Sequence, residues 1–236
     1  MRRKPNLELR LEKCAAVTLE NPQDYRGRWR ESFGFEAVHV ELGCGKGRFT
    51  ADVAASAPEV LLVAIERDPS ALVMAMELAL SRGLSNVRFI LGDVNMLGEL
   101  FAPGEVGRIY LNFPDPWPKS RDAKLRLTAP NFLRRYASVL APGGELVVLE
   151  FFRPRSPVLW FAVSAWIRLV SSLFAHGKAS AYRHLRESIG CMDSEVEFQS
   201  MAEEAEFSPC SRRWFFPCCT CLHFLFGGAA KRGRTA

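Results

Sequence analysis

Four carboxylates stand where apolar runs of the sequence end, and their spacing suits a nucleoside-binding site. Glu41 closes one run and leads into Leu42-Gly43-Cys44-Gly45-Lys46-Gly47. Glycines in such a turn can take positive φ and let a ligand approach the backbone closely. Glu66 closes the next run, about twenty residues beyond the turn, where an acid can accept hydrogen bonds from both hydroxyls of a ribose. Asp93 closes a third run, placed to meet an adenine amino group. A plain tight turn would need only the glycines; the later acids make Glu41, Gly43, Gly45, Glu66 and Asp93 a candidate cofactor site. The fourth acid, Asp115, lies in Asn112-Phe113-Pro114-Asp115-Pro116-Trp117-Pro118-Lys119. Each proline fixes its own φ and restricts the residue before it, so the acid is held in a stiff loop. Lys119, Arg121, Lys124 and Arg126 supply cations that could pair with phosphates and give a salt-sensitive affinity. A merely solvated basic loop is the plainer alternative.

An alternation of strands and helices must position these residues. The patterns predict strands over 37–42, 60–65, 87–91, 108–113 and 145–151, with helices over 47–57, 70–82 and 131–140. Pro142-Gly143-Gly144 reads as the turn before the fifth strand, whose nearly continuous apolar character belongs inside a parallel sheet. Farther on, 158–174 and 195–206 read as helices, and 218–226 could pair with 214–216 as a closing pair of strands. Open sheets of this kind bind ligands at the carboxyl ends of their strands, which is where all four acids fall.

Doubly wound α/β folds serve dinucleotides and S-adenosylmethionine alike. Glu41 favours the second, because a carboxylate there would repel a pyrophosphate and attract the ammonium of a methionine moiety. Glu41-Leu42-Gly43-Cys44-Gly45 resembles the acid-glycine motif of S-adenosylmethionine enzymes. That resemblance implies S-adenosyl-L-methionine as cofactor. It also implies an α/β, Rossmann-like class I methyltransferase fold, a mostly parallel seven-stranded sheet with helices on both faces.

The loop around Asp115 resembles that of the bacterial tRNA (guanine-N7)-methyltransferase family, whose hallmark is Pro-Asp-Pro-Trp followed by basic residues. The likeness covers roughly residues 1–146 and takes in the basic start, the Asn21-Pro22 to Trp29 segment, Glu41, Glu66, Asp93 and the Pro103-Gly104-Glu105 turn. It implies that Glu41, Glu66, Asp93 and Asp115 line the cofactor and reaction site, that Lys119 touches substrate, and that Arg121 to Arg126 contact tRNA. The chemistry agrees. Guanine N7 carries a free lone pair at neutral pH, so methyl transfer needs alignment and a dry contact rather than a general base. A carboxylate such as Asp115 could then stabilise the positive charge that grows on the purine.

Beyond Leu146 the sequence departs from that family and lacks its Lys-Thr-Asp and Thr-x-Tyr-Glu-like elements. Val148-Leu149-Glu150-Phe151, Arg153-Pro154 and the stretch from Phe198 to Phe207 instead resemble the ubiquinone/menaquinone C-methyltransferases. The cation run is also thinner, with Leu125 where a second arginine or lysine is common and Asp122 placing an acid among the cations. Three functions follow: methylation of guanine N7 in tRNA, C-methylation of a quinol or other small aromatic, and a module that holds cofactor or RNA without turnover.

The remaining features are compatible with a cytoplasmic enzyme. The chain has 236 residues, 48% hydrophobic and 24% charged, and a formal charge of +5. That suits one α/β domain and an anionic partner without demanding one. The expected division is a basic N-terminal arm over 1–30, a methyltransferase domain over 31–228 (cofactor half 31–146, divergent half 147–228) and a tail over 229–236. No apolar core follows the early bases, so no signal peptide is expected. The apolar stretch from Pro157 to Ala175, interrupted by Arg168, reads as an amphipathic or buried helix, with Trp160, Phe161 and Trp166 packing a core rather than stacking bases. Cys210, Cys218, Cys219, Cys221 and His223 lack the paired spacing of a zinc knuckle, so no metal and no disulfide is expected. The expected partner is tRNA, with no membrane, for a monomer or weak homodimer.

Overall fold

Runs of Val, Ile and Leu with little polar interruption form strands that can be buried on both faces, and four of them build the first part of the sheet. In a computed structural model, which describes residues 6–174, 179–215 and 218–227, these are β1 (Ala37–Leu42), β2 (Val60–Glu66), β3 (Val87–Leu91) and β4 (Val106–Asn112). They pair in parallel, β1 lying between β2 and β4, and β2 between β1 and β3. Leu61, Val63 and Ile65 on one face of β2 and Leu62 and Ala64 on the other are all sealed from solvent. Helices on both sides are what such a strand requires. With β5 (Leu140–Phe151), β6 (Phe207–Phe215) and β7 (Cys219–Phe226) the order is β3-β2-β1-β4-β5-β7-β6. By density of contacts the chain falls into two units, residues 1–112 with 135–147 and residues 113–134 with 148–236.

In the first unit, α1 (Leu7–Lys13), α3 (Arg48–Ser56) and α4 (Pro69–Ser81) share one core with Leu62, Ala64, Phe89 and Tyr110. Asp68 caps α4 by accepting from the Ser70 amide at 2.8 Å, with Pro69 at the first helical position. Arg10 reaches α4 as a fork, its Nε and Nη2 donating to Glu77 at 2.7 and 2.6 Å. Trp29 opens α2 (Trp29–Phe33), is wholly buried, and donates its indole N–H to the Leu100 carbonyl at the end of α5 (Leu97–Leu100). Glu105 organises this corner, its carboxylate accepting from the amides of Gly27, Trp29 and Ala102 at 2.8–3.0 Å. The segment ending at Trp29 and the Pro103-Gly104-Glu105 turn are therefore two halves of one contact.

The fifth strand begins earlier than the sequence suggests. Leu140 to Phe151 is one strand, and Pro142-Gly143-Gly144 lies inside it, Gly143 absorbing the distortion at φ 76°. The preceding helix, α6, is Pro130–Val139.

In the second unit, α7 (Pro157–Phe174) and α8 (Ala179–Cys191) pack through Val163, Ile167 and Ile189 against Cys218, with Trp160 and Tyr182 alongside. Trp160, Val163 and Ile167 share one helical face. Phe161, a third of a turn away, and Trp166 are both exposed, so neither joins the core as expected. Among the described residues no helix is long and apolar enough to cross a membrane. Ser194 and Glu197 close a capping box at the start of α9 (Glu195–Glu204). The β6–β7 hairpin is antiparallel, Phe207 opposite Phe226 and Phe215 opposite Cys219, with a register shift between Pro209 and Ser211. The expected short partner strand at 214–216 is thus a nine-residue strand starting at Phe207; Pro209 and the Arg212-Arg213 pair hide its alternation. Phe216, the basic start and the tail over 229–236 lie outside the described residues.

Candidate active site

The turn after β1 is built by hydrogen bonds to the neighbouring strand. The amides of Gly43 and Cys44 both donate to the Ile65 carbonyl, at 2.9 and 3.2 Å, and the Gly47 amide donates back to Cys44. Gly43, Gly45 and Gly47 all have positive φ. At Gly47 no other residue fits: a Cβ would lie 2.4 Å from the Cβ of Ala75 and 2.7 Å from its Cα. Beside Gly43 and Gly45, by contrast, the place of a Cβ is open to 4 Å, so a ligand can approach the backbone there.

Glu66 ends β2 and is aimed by the backbone. Its Oε2 accepts from the Gly45 amide and its Oε1 from the Asp68 amide, both at 2.9 Å. An ionised carboxylate has about four acceptor positions, so each oxygen keeps one for a hydroxyl group. Asp93 lies two residues past β3 and is exposed; its Oδ1 caps the short turn over 94–96 through the Asn95 amide at 2.8 Å and also accepts from the Asn95 side chain.

Glu41 is only 2% exposed. The Thr50 hydroxyl donates to its Oε2 at 2.5 Å and the Asn112 amide group to its Oε1 at 3.1 Å. Burial pushes its pKa up, the two hydrogen bonds pull it back, and the nearby charge of Glu66 adds to the rise. Neither Thr50 nor Asn112 stood out in the sequence. Asn112 reaches Glu41 because β4 pairs directly with β1, Leu111 opposite Leu42, an adjacency that chain order conceals.

In the second unit the loop from Phe113 to Arg126 is stiffened by more than its prolines. Phe113 and Trp117 both hold positive φ, 47° and 41°, which side chains other than glycine rarely adopt. The Phe113 amide donates to the Leu149 carbonyl at 2.9 Å, and its ring lies 5.2 Å from that of Phe151. Arg126 holds the other end. Its Nε donates to the Pro116 carbonyl at 2.9 Å, its Nη2 to the Trp117 carbonyl at 3.3 Å, and its Nη1 lies 3.6 Å from Asp193. With 5% of its surface exposed, Arg126 acts as an internal brace of the loop, in place of the outward cation expected from its type. Lys119, Arg121 and Lys124 do face solvent, as does Asp115. Among the described residues no group of three His, Cys, Asp or Glu side chains could hold a metal ion. Cys218 and Cys219 are buried, which pushes their thiols up to about 12 and about 11.

A parallel sheet closed by an antiparallel hairpin, with an acid-glycine turn after β1 and an acid ending β2, defines a Rossmann-like methyltransferase fold. A family model described as "Putative methyltransferase" matches residues 36–150, a stretch that contains every acid of the site. A Listeria monocytogenes tRNA (guanine-N(7)-)-methyltransferase is 44% identical over 147 residues, 62% of this chain and 69% of that protein. The Lactococcus lactis enzyme of the same name is 45% identical over 137 residues, 58% and 63% of the two chains. The chain belongs to the tRNA (guanine-N7)-methyltransferase family. The fold extends past the matched segment: an Aquifex aeolicus SAM-dependent methyltransferase of solved structure, 14% identical, superposes with a TM-score of 0.55 over 94% of this chain and 100% of that one.

Proposed function

We propose that this chain transfers a methyl group from S-adenosylmethionine to N7 of a guanine in tRNA. One observation carries the reading: a single continuous segment, 36–150, matched to the family, holds both the glycine turn with its acids and the braced loop around Asp115. The bound cofactor supplies an electrophilic methyl group on a sulfonium centre.

The residues of the first unit fit that cofactor. Glu66, oriented by two amides, would accept from the ribose hydroxyls, and Asp93 would meet the adenine amino group. The open backbone at Gly43 and Gly45 admits the methionine portion. An ammonium group near Glu41 would favour the charged form that burial disfavours, so binding the cation and ionising the acid support each other.

Chain connectivity ties Asp115 to this end of the sheet. It lies three residues beyond Asn112, at most about 11 Å of extended chain. Since N7 needs no deprotonation, the work of these residues is alignment and charge. Asp115 would offset the positive charge growing on the purine, and Lys119, Arg121 and Lys124 would take phosphates. Arg126 serves as a positioning residue.

The test measures methyl transfer to unmodified tRNA, with demethylmenaquinol as a second acceptor. Asp115→Ala should lower kcat by about 100-fold or more while binding of S-adenosylhomocysteine stays within a few-fold of wild type. Full turnover in Asp115→Ala, or label in the quinol alone, refutes the reading.

A further inference from the structure

The second unit contains a cavity, lined by three arginines among mainly apolar surface, that the cofactor residues do not share. Phe152, Arg153 and Arg155 follow the carboxyl end of β5, Glu195 opens α9, and Arg212 and Trp214 lie on β6; together they line about 340 Å³. Ligand cavities run from roughly 300 to 1,000 Å³, so this one has room for a single nucleotide and little more.

Its lining is selective in charge and in shape. Glu195 takes the Arg212 guanidinium as a fork, at 2.5 and 2.9 Å, and Thr220 donates to the same carboxylate at 3.4 Å. That pair is neutral and fixed, which leaves Arg153 and Arg155 as the net charge of the cavity. Among the described residues Arg153 makes one long, solvent-exposed ion pair, with Glu197 at 3.6 Å, and the same carboxylate also acts on Arg155; an incoming anion can outcompete so exposed a partner. An arginine fork matches phosphate geometry in a way an ammonium does not. Trp214, half of whose surface is exposed, adds a broad π-face to the same wall. A flat aromatic group and a phosphate on one ligand describe a nucleotide, and stacking on an aromatic next to arginines is how single strands are held without regard to sequence.

We propose that this cavity is a nucleotide subsite, with the base stacked on Trp214 and the phosphate on Arg153 and Arg155. The source can be a strand of RNA or a free nucleotide, and the first of these rests on the tRNA reading above.

The experiment uses the whole chain, a fluorescein-labelled seven-nucleotide single-stranded RNA followed by anisotropy across a salt series, and GMP as competitor. Trp214→Ala should weaken the oligonucleotide by about tenfold, and Trp214→Phe, which keeps a stacking face, should restore most of that. Arg153→Ala/Arg155→Ala, which removes this one phosphate contact, should reduce the slope of log K against log salt by about 0.7. Calorimetry with S-adenosylhomocysteine confirms that each variant is folded. Competition by GMP that these substitutions abolish identifies a free nucleotide; effects on the oligonucleotide alone identify an RNA strand. Folded variants that bind both probes as the wild type does, with an unchanged slope, overturn the subsite even if tRNA is methylated. Losses as expected, with no methylation of tRNA by the wild type, leave the subsite standing and refute the proposed function.

Discussion

Replacing Glu150 by Gln should change how stability depends on pH, and the structure gives both sign and size. Glu150 lies on β5, 5% exposed, and its pKa is raised from 4.5 to about 8 because burial disfavours the charged form. One oxygen accepts from the Phe151 amide at 2.6 Å, which pulls the pKa part of the way back; the other meets no hydrogen-bond partner among the described residues. Between pH 4.5 and about 8 the folded chain therefore holds a proton that the unfolded chain releases. Stability from this group is intact below that window and falls as pH rises through it, by up to about 1.4 kcal/mol per pH unit. Over the whole window the loss is about 4 to 5 kcal/mol. Urea unfolding of both proteins at steps from pH 4.5 to 9 measures it, because every other titrating group cancels in the difference. The buried amide of the variant adds a constant offset, whereas the changing gap between the two curves belongs to Glu150. Curves that stay parallel from pH 5 to 9 would falsify the assignment of a neutral, buried acid.

Two further substitutions test the turn and the brace. Gly47→Ala combines a left-handed φ with a backbone collision, about 1–2 kcal/mol for the first and about 1–3 for the second. For a chain of this size that lowers Tm by about 5–15 °C, and melting within about 2 °C of wild type would show that the contact with Ala75 can relax freely. Arg126→Ala frees the loop around Asp115, so kcat for methyl transfer should fall at least about tenfold while S-adenosylhomocysteine affinity holds. Arg126→Lys should not rescue it, since one ammonium cannot span the Pro116 and Trp117 carbonyls and Asp193; full activity in the Lys variant contradicts a bracing role.

Much of the site was legible because its signals are local. Glycines needing positive φ, and acids at the ends of apolar runs, are set by residues close in sequence, and β1, β2 and β3 emerge with the expected bounds to within a residue. What escaped depends on distant partners. Thr50 and Asn112 matter only because a helix and a non-consecutive strand bring them to Glu41. Arg126 looked like one more cation in a basic run until its burial showed two carbonyls and an aspartate taking its donors. Glu105 shows the reverse: its motif was visible, but its purpose, gathering the Gly27, Trp29 and Ala102 amides, needed the third dimension. The β6 strand was obscured by a proline at its bulge and by a solvated face of arginines.

The most direct measurement is to locate the methyl group. Wild-type protein, S-adenosylmethionine carrying a labelled methyl and unmodified tRNA are incubated, and the RNA is digested to nucleosides. The account predicts label in 7-methylguanosine, with little in Asp115→Ala. Label in another nucleoside, or none in RNA despite measurable binding of S-adenosylmethionine, contradicts it.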